Sequence, residues 1–139
     1  MVRYTVIFAA ALLAAAEFPG VPDTPFLQEW RTEHSYPAGV SGRQVRAIAV
    51  DAAGTLWLAS RPGVYSYADG NWRSVQRGST YALAVQGRTV WAGAWDGLYR
   101  IEGGSSTKVE GIEGPVVALS ADAGGLVVAT PQAIHTFDG

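Results

Sequence analysis

The chain has no cysteine. That excludes disulfides, thiolate metal sites and a lipid attached through an N-terminal cysteine. Histidine is nearly as scarce: His34 and His135 are the whole supply. Two such distant rings make a poor ligand set, so no metal site and no cofactor is expected. Charged residues make up only 16% and leave a net charge of −2. With no basic patch, nucleic acid is not an expected partner. Long apolar runs are missing too. The one candidate, Thr5 to Ala16, is well short of the about 20 residues that span a membrane, so no membrane span is expected. Preceded by Arg3 and closed by Ala14-Ala15-Ala16, it has the form of an export signal over residues 1–16, with an uncleaved N-terminal anchor as the alternative. The chain is therefore expected to be exported, periplasmic or secreted. Pro19, Pro22 and Pro25 disfavour helix over 17–29 and favour an extended linker.

Glycine and aromatics are plentiful instead: 17 Gly, 5 Trp and 6 Tyr in 139 residues. Hydrophobic residues at 48% exclude disorder for most of the length. The pattern behind these numbers is a repeat. One copy runs Val45-Arg46-Ala47-Ile48-Ala49-Val50-Asp51, Gly54, Leu56-Trp57-Leu58-Ala59-Ser60 and Gly63-Val64-Tyr65-Ser66-Tyr67. A second has Leu83-Ala84-Val85, Val90-Trp91-Ala92-Gly93 and Gly97-Leu98-Tyr99-Arg100-Ile101. A third has Val117-Ala118-Leu119, Asp122, Leu126-Val127-Val128-Ala129-Thr130 and Ile134-His135-Thr136-Phe137. Trp57, Trp91 and Val127 are equivalent, 34 and 36 residues apart. Such a period marks an array of identical supersecondary units.

Within each copy, apolar residues alternate with polar or small ones, the period of a strand. Ile48, Val50, Leu56 and Leu58 share one face; Trp57 and Ala59 lie on the other. Both faces being apolar places each sheet between two others. Asp51-Ala52-Ala53-Gly54 reads as a type I turn closed by a left-handed glycine, repeated at Asp122-Ala123-Gly124 and shortened at Gln86-Gly87-Arg88. Asp69-Gly70 is a two-residue hairpin signal. Four antiparallel strands per unit make a propeller blade.

The expected fold is all-β, an incomplete β-propeller of about three four-stranded antiparallel blades plus one N-terminal orphan strand, occupying 30–139. The blades fall at about 45–76, 82–109 and 116–139. Trp30–Ser35 matches the fourth strand Trp72–Gln76 and would be the orphan. The third copy ends in a turn after three strands. The chain thus reads as part of a longer array, with assembly of several copies into one ring as the alternative. The open edge of Ile134–Phe137 predicts self-association.

The string from Ala49 to Tyr67, with its aspartate–glycine turn, Leu56-Trp57, Ala59-Ser60 and Gly63-Val64-Tyr65, resembles the two-component regulator propeller repeat. The second copy departs at Gln86 and Ala94, the third at Val127 and Ala133. The resemblance covers 45–139. It implies a propeller sensor module of the kind found outside the membrane in hybrid histidine kinases. Streptogramin-lyase-like propellers carry a related pattern, so a truncated propeller enzyme similar to streptogramin lyase is the alternative.

The residues themselves support no chemistry. Ser60, Ser66 and Thr130 have no histidine and carboxylate in a recognisable triad pattern. Asp51 and Asp122 lack the alternating ligands of a calcium loop and read as turn caps. His135 stands where Tyr65 and Tyr99 stand and reads as a half-buried ring. Trp57 and Trp91 read as packing between blades. Trp95 is not a repeat position. If the first strand of each blade is innermost, Arg43, Arg61, Trp95, Asp96 and Gln132 fall on loops of one rim, the candidate binding face for an unknown ligand or protein. No catalytic residue is assigned. The function expected is ligand sensing or protein interaction, without catalysis.

Overall fold

The computed structural model describes residues 31–138. The expected export signal at 1–16, the linker at 17–29 and Trp30 lie outside them.

Three antiparallel sheets follow one another along the chain. Blade one is β1 (Val45–Val50), β2 (Leu56–Ser60), β3 (Gly63–Ala68) and β4 (Asn71–Arg77). Blade two is β5 (Thr80–Gln86), β6 (Thr89–Ala94), β7 (Gly97–Glu102) and β8 (Ser105–Glu113). Blade three is β9 (Ala118–Asp122), β10 (Gly125–Ala129) and β11 (Ile134–Asp138). Every strand pairs with its sequence neighbour within its blade, and among the described residues blade three has three strands. The described residues contain no α-helix, only a 3-10 turn at Gly42–Gln44 ahead of β1. The architecture is an incomplete β-propeller.

The turns explain the short strands. Asp69 and Gly70 both take positive φ, 51° and 80°, the pair of values a type I′ hairpin needs. Gly103 and Gly104 do the same in blade two, at 56° and 81°. Gly54 closes the Asp51 turn at φ 81°. The third copy differs here: Ala123-Gly124 is a two-residue connection, and Asp122 Oδ1 accepts from the amides of Gly124 and Gly125 at 2.7 and 3.1 Å.

The core lies between sheets. The register Ile48↔Leu58, Ala49↔Trp57 and Val50↔Leu56 sorts blade one into the two faces read from the sequence. Trp57 and Val64, with Ala49 and Val75 at the margin, pack on Val90, Ala92 and Ile101 of blade two, flanked by Leu83, Val85 and Tyr99. The opposite face of blade two offers Ala84, Leu98, Ile112 and Trp91 to Leu126 and Val128 of blade three. Ile112 comes from the stretch of β8 that bulges out of register between Tyr99↔Lys108 and Gly97↔Glu113, which is why β8 runs past the expected end of blade two at about 109. The innermost strand of each blade is its first: β5 lies against both β1 and β9, whereas the outer strands β4 and β8 barely touch.

One expectation fails. Residues 31–35 form no strand. A fourth strand needs a third to pair with, and the described residues provide none on that side. The chain is held by side chains instead. Trp72 Nε1 donates to the Ser35 carbonyl at 2.7 Å, and the Tyr67 hydroxyl lies 3.1 Å from His34 Nδ1. The His34 and Trp72 rings flank Tyr67 at centroid distances of 4.7 and 5.0 Å.

Gly93 stands tightly against the link into blade three, where a Cβ would come 2.5 Å from Val116 Cγ1. Gly93→Ala is expected to destabilise the chain by about 1–3 kcal/mol through overpacking. Thermal or urea unfolding followed by circular dichroism checks this, and an unchanged midpoint would contradict it.

Candidate functional site

Antiparallel order puts all the links into blades, and all connections between second and third strands, at one end of the sheets. Arg43, in the Gly42–Gln44 turn, is exposed. The Gln44 carbonyl accepts from the Arg61 amide at 3.0 Å, so the Arg61-Pro62 connection is tied to that turn. The Pro62 carbonyl accepts from the Gly78 amide at 2.9 Å, and the Ser79 carbonyl accepts from the Trp95 amide at 2.9 Å. Connection and link thus alternate around the rim, each bonded to the next.

Trp95 is 57% exposed. Its indole lies over Gly78, where a Cβ would sit 3.5 Å from Nε1. Asp96 is half-buried and accepts the Tyr99 hydroxyl at 2.8 Å, which fixes its carboxylate beside the indole-bearing loop. Partial burial, and then Asp96 as acceptor and negative neighbour, push the Tyr99 phenol above its ordinary value. Gln132 is exposed in the β10–β11 connection, which Thr130 closes by accepting the Ala133 amide on Oγ1 at 3.1 Å. The structure therefore joins the loops of Arg43, Arg61, Trp95 and Asp96 through backbone bonds. Gln132 stands at the same end one blade further on, and the ladder continues towards it: the Ala94 carbonyl accepts from the Val116 amide at 2.9 Å, and the Ala129 carbonyl, at the start of the Gln132 connection, accepts from the Val117 amide at 2.8 Å.

The other residues weighed from the sequence have structural roles. Ser60 is fully buried and its Oγ donates to the Gly63 carbonyl at 2.8 Å, closing the same kind of turn as Thr130. His135 is half-buried and pairs with Val128, on the face turned to blade two, as Tyr99 does one blade earlier. Among the described residues no three His, Cys, Asp or Glu cluster as a metal site would require.

One arrangement was not singled out from the sequence. Asp51 Oδ1 accepts the Ala53 and Thr55 amides at 2.9 and 3.0 Å, while Oδ2 accepts Trp57 Nε1 at 2.9 Å. In blade two Gln86 takes over: Oε1 accepts Trp91 Nε1 at 3.2 Å, and Nε2 donates across the interface to the Asp122 carbonyl at 3.0 Å. The acceptor and the tryptophan recur together because a buried indole N–H requires a partner. Blade three, with Val127, has no indole, and Asp122 caps only its turn. Beside Asp51, on the far rim, a cleft of about 430 Å³ between blades one and two is lined by Arg73, Arg88, Ser66 and Ser74. Neither arginine forms an ion pair among the described residues.

No family model matches the chain, and no curated protein matches it. Among solved structures it is similar to the computationally designed Ika4 protein, with TM-score 0.56 and 17% identity over 68% of this chain and 65% of that one. It is also similar to the WD40 beta propeller domain of Doa1, with TM-score 0.52 and 17% identity over 68% of this chain. The extracellular domain of the hybrid two component system protein BT4673 from B. thetaiotaomicron aligns at TM-score 0.42 and 15% identity over 70% of this chain. The chain spans 65%, 38% and 21% of these three chains, less than two thirds of each. At such identity the likeness to the Doa1 domain shows the propeller fold alone.

The Asp51 carboxylate gives a pH test. Partial burial raises its pKa, but the hydrogen bonds from Trp57, Thr55 and Ala53 outweigh that and hold it below the ordinary 3.8. Its stabilisation is thus complete above the ordinary value and is lost as pH falls through the lower value of the folded chain. Melting temperature should drop through that acid window, and Asp51→Asn should flatten the drop. Trp57→Phe, which removes the N–H donor, should cost about 1 kcal/mol at neutral pH. Identical acid profiles for the parent chain and Asp51→Asn would contradict the assignment.

Proposed function

We propose that the chain is a segment of an extracytoplasmic propeller that senses a ligand or binds a protein through the rim of Arg43, Arg61, Trp95, Asp96 and Gln132, with no catalysis of its own. The observation that carries this reading is Trp95. A large aromatic side chain stands exposed on a non-repeat loop. That loop is bonded on one side to the link between blades, and its aspartate is fixed by Tyr99. Rigid scaffolds with variable loops at one end are where recognition residues concentrate, and tryptophan and arginine are the residues that most often anchor it. The resemblance of the repeat to two-component regulator propellers supports a sensory role. The pattern of residues 1–16 supports export, and among the described residues no helix is long and apolar enough to cross a membrane.

The test is an array of peptides and oligosaccharides probed with the labelled full chain. Trp95→Ala and Arg61→Ala are expected to weaken each hit by about tenfold or more, with melting temperature unchanged. Hits that survive both substitutions but are lost in Arg88→Ala would move the binding face to the opposite rim and overturn the proposal.

A further inference from the structure

Folding sorts the charges of blade one to opposite ends of its sheet. Arg43 lies in the turn ahead of β1, Arg46 at the second position of β1, Arg61 in the β2–β3 connection and Arg77 at the end of β4, all at the end that carries the rim. The carboxylates of blade one, Asp51 and Asp69, lie in the turns at the other end. Arg43, Arg61 and Arg77 are exposed, and none of them forms an ion pair among the described residues. They stand 18 and 16 residues apart, so the sequence shows no basic run. Antiparallel pairing gathers them along the end of one sheet about 15 Å wide, three strand spacings of about 4.8 Å. The same end of blade two has the opposite sign. Asp96, Glu110 and Glu113 stand there against Lys108, whose ammonium lies 3.5 Å from Glu113. At the junction is Trp95, 57% exposed, with its indole over Gly78, the residue after Arg77.

We propose that the rim takes an acidic protein segment, with carboxylates over Arg43, Arg61 and Arg77 and an apolar side chain on Trp95. This rests on the reading of the rim as the binding face and supplies the chemistry of its partner. A guanidinium pairs with a carboxylate through two parallel N–H···O bonds, and these three arginines have no carboxylate of their own to hold. At roughly 3.3 Å per residue, about five extended residues cross the end of the sheet. The charge of blade two then selects among anions. A uniform polyanion, such as nucleic acid or a sulfated glycan, is charged along its whole length. Running on from blade one, it meets Asp96, Glu110 and Glu113, where like charges repel. A protein segment can end its acidic stretch at the junction and set an apolar residue against the exposed indole.

The test is fluorescence anisotropy of labelled probes titrated with the full chain. The probes are a peptide of five glutamates closed by a phenylalanine, its counterpart with five glutamines, heparin and an oligothymidylate. The glutamate peptide is expected to bind about tenfold more tightly than the glutamine one, to bind no more weakly than either polyanion, and to lose affinity as salt rises. Arg61→Gln and Arg77→Gln should each weaken it by about threefold to tenfold, and Trp95→Ala by about tenfold, with melting temperature unchanged. Arg43→Gln replaces either arginine variant that shifts the melting temperature. Equal binding of the glutamate and glutamine peptides, lost in Trp95→Ala, overturns the acidic partner and leaves the rim reading standing. Glutamate-peptide binding that survives all three substitutions overturns the rim reading as well. Tighter binding of heparin or oligothymidylate than of the glutamate peptide, or no binding of that peptide, overturns the proposal.

Discussion

Each sheet in this chain has apolar groups on both faces and can bury them only against another sheet. That constraint sets the rest. It makes the inter-blade layers the core, with Val64, Ala92, Leu98 and Val128 fully enclosed there, and leaves the ends of the array apolar and exposed. Blade two, flanked on both sides, is the only blade among the described residues with both faces covered by sheets. Apolar burial is worth roughly 25 cal/mol per Å², so a blade with one face open forgoes a large share of what the sequence encodes for it. The repeat therefore behaves as a one-dimensional array in which each unit is stabilised mainly by its neighbours.

Polar groups were fitted around that constraint. Large indoles fill the layers well but bring an N–H, and the turn preceding each indole strand supplies an acceptor, Asp51 or Gln86. The same aspartate also organises its own turn, so one carboxylate fixes the hairpin and the side chain at the interface. At the opposite end of the sheets the backbone itself does the joining, connection to link, through the Arg61, Gly78 and Trp95 amides. A rim assembled from backbone bonds can vary its side chains without loosening. That separates the part of the repeat that must stay constant from the part free to recognise something.

Much of this was legible in the residues. The alternation in Ala47–Val50 and Leu56–Ser60 sorts both faces correctly, Asp69-Gly70 marks its hairpin, and the shared position of Trp57 and Trp91 marks the interface. The rim was legible only as topology: strand order places Arg43, Arg61, Trp95, Asp96 and Gln132 at one end, but the bonds that bring their loops together are made by backbone groups that no side-chain pattern reveals. The replacement of Asp51 by Gln86 looks like decay of the motif in sequence, yet both are acceptors for an indole. Residues 31–35 carry a strand-like pattern without a partner strand, and pattern alone does not form a strand. The bulge that delivers Ile112 depends on pairing between β7 and β8 over several residues, beyond what local alternation encodes.

The central claim is that packing between sheets, rather than pairing within them, sets the stability of each strand. Amide hydrogen exchange on the full chain tests it most directly. The slowest amides should lie in β6, covered on both faces and paired on both edges, with markedly faster exchange in the outer strands β4 and β8, although these are just as fully strand in their backbone. Slowest exchange in β4 or β8, or protection that is uniform across the sheet of blade two, would contradict the account.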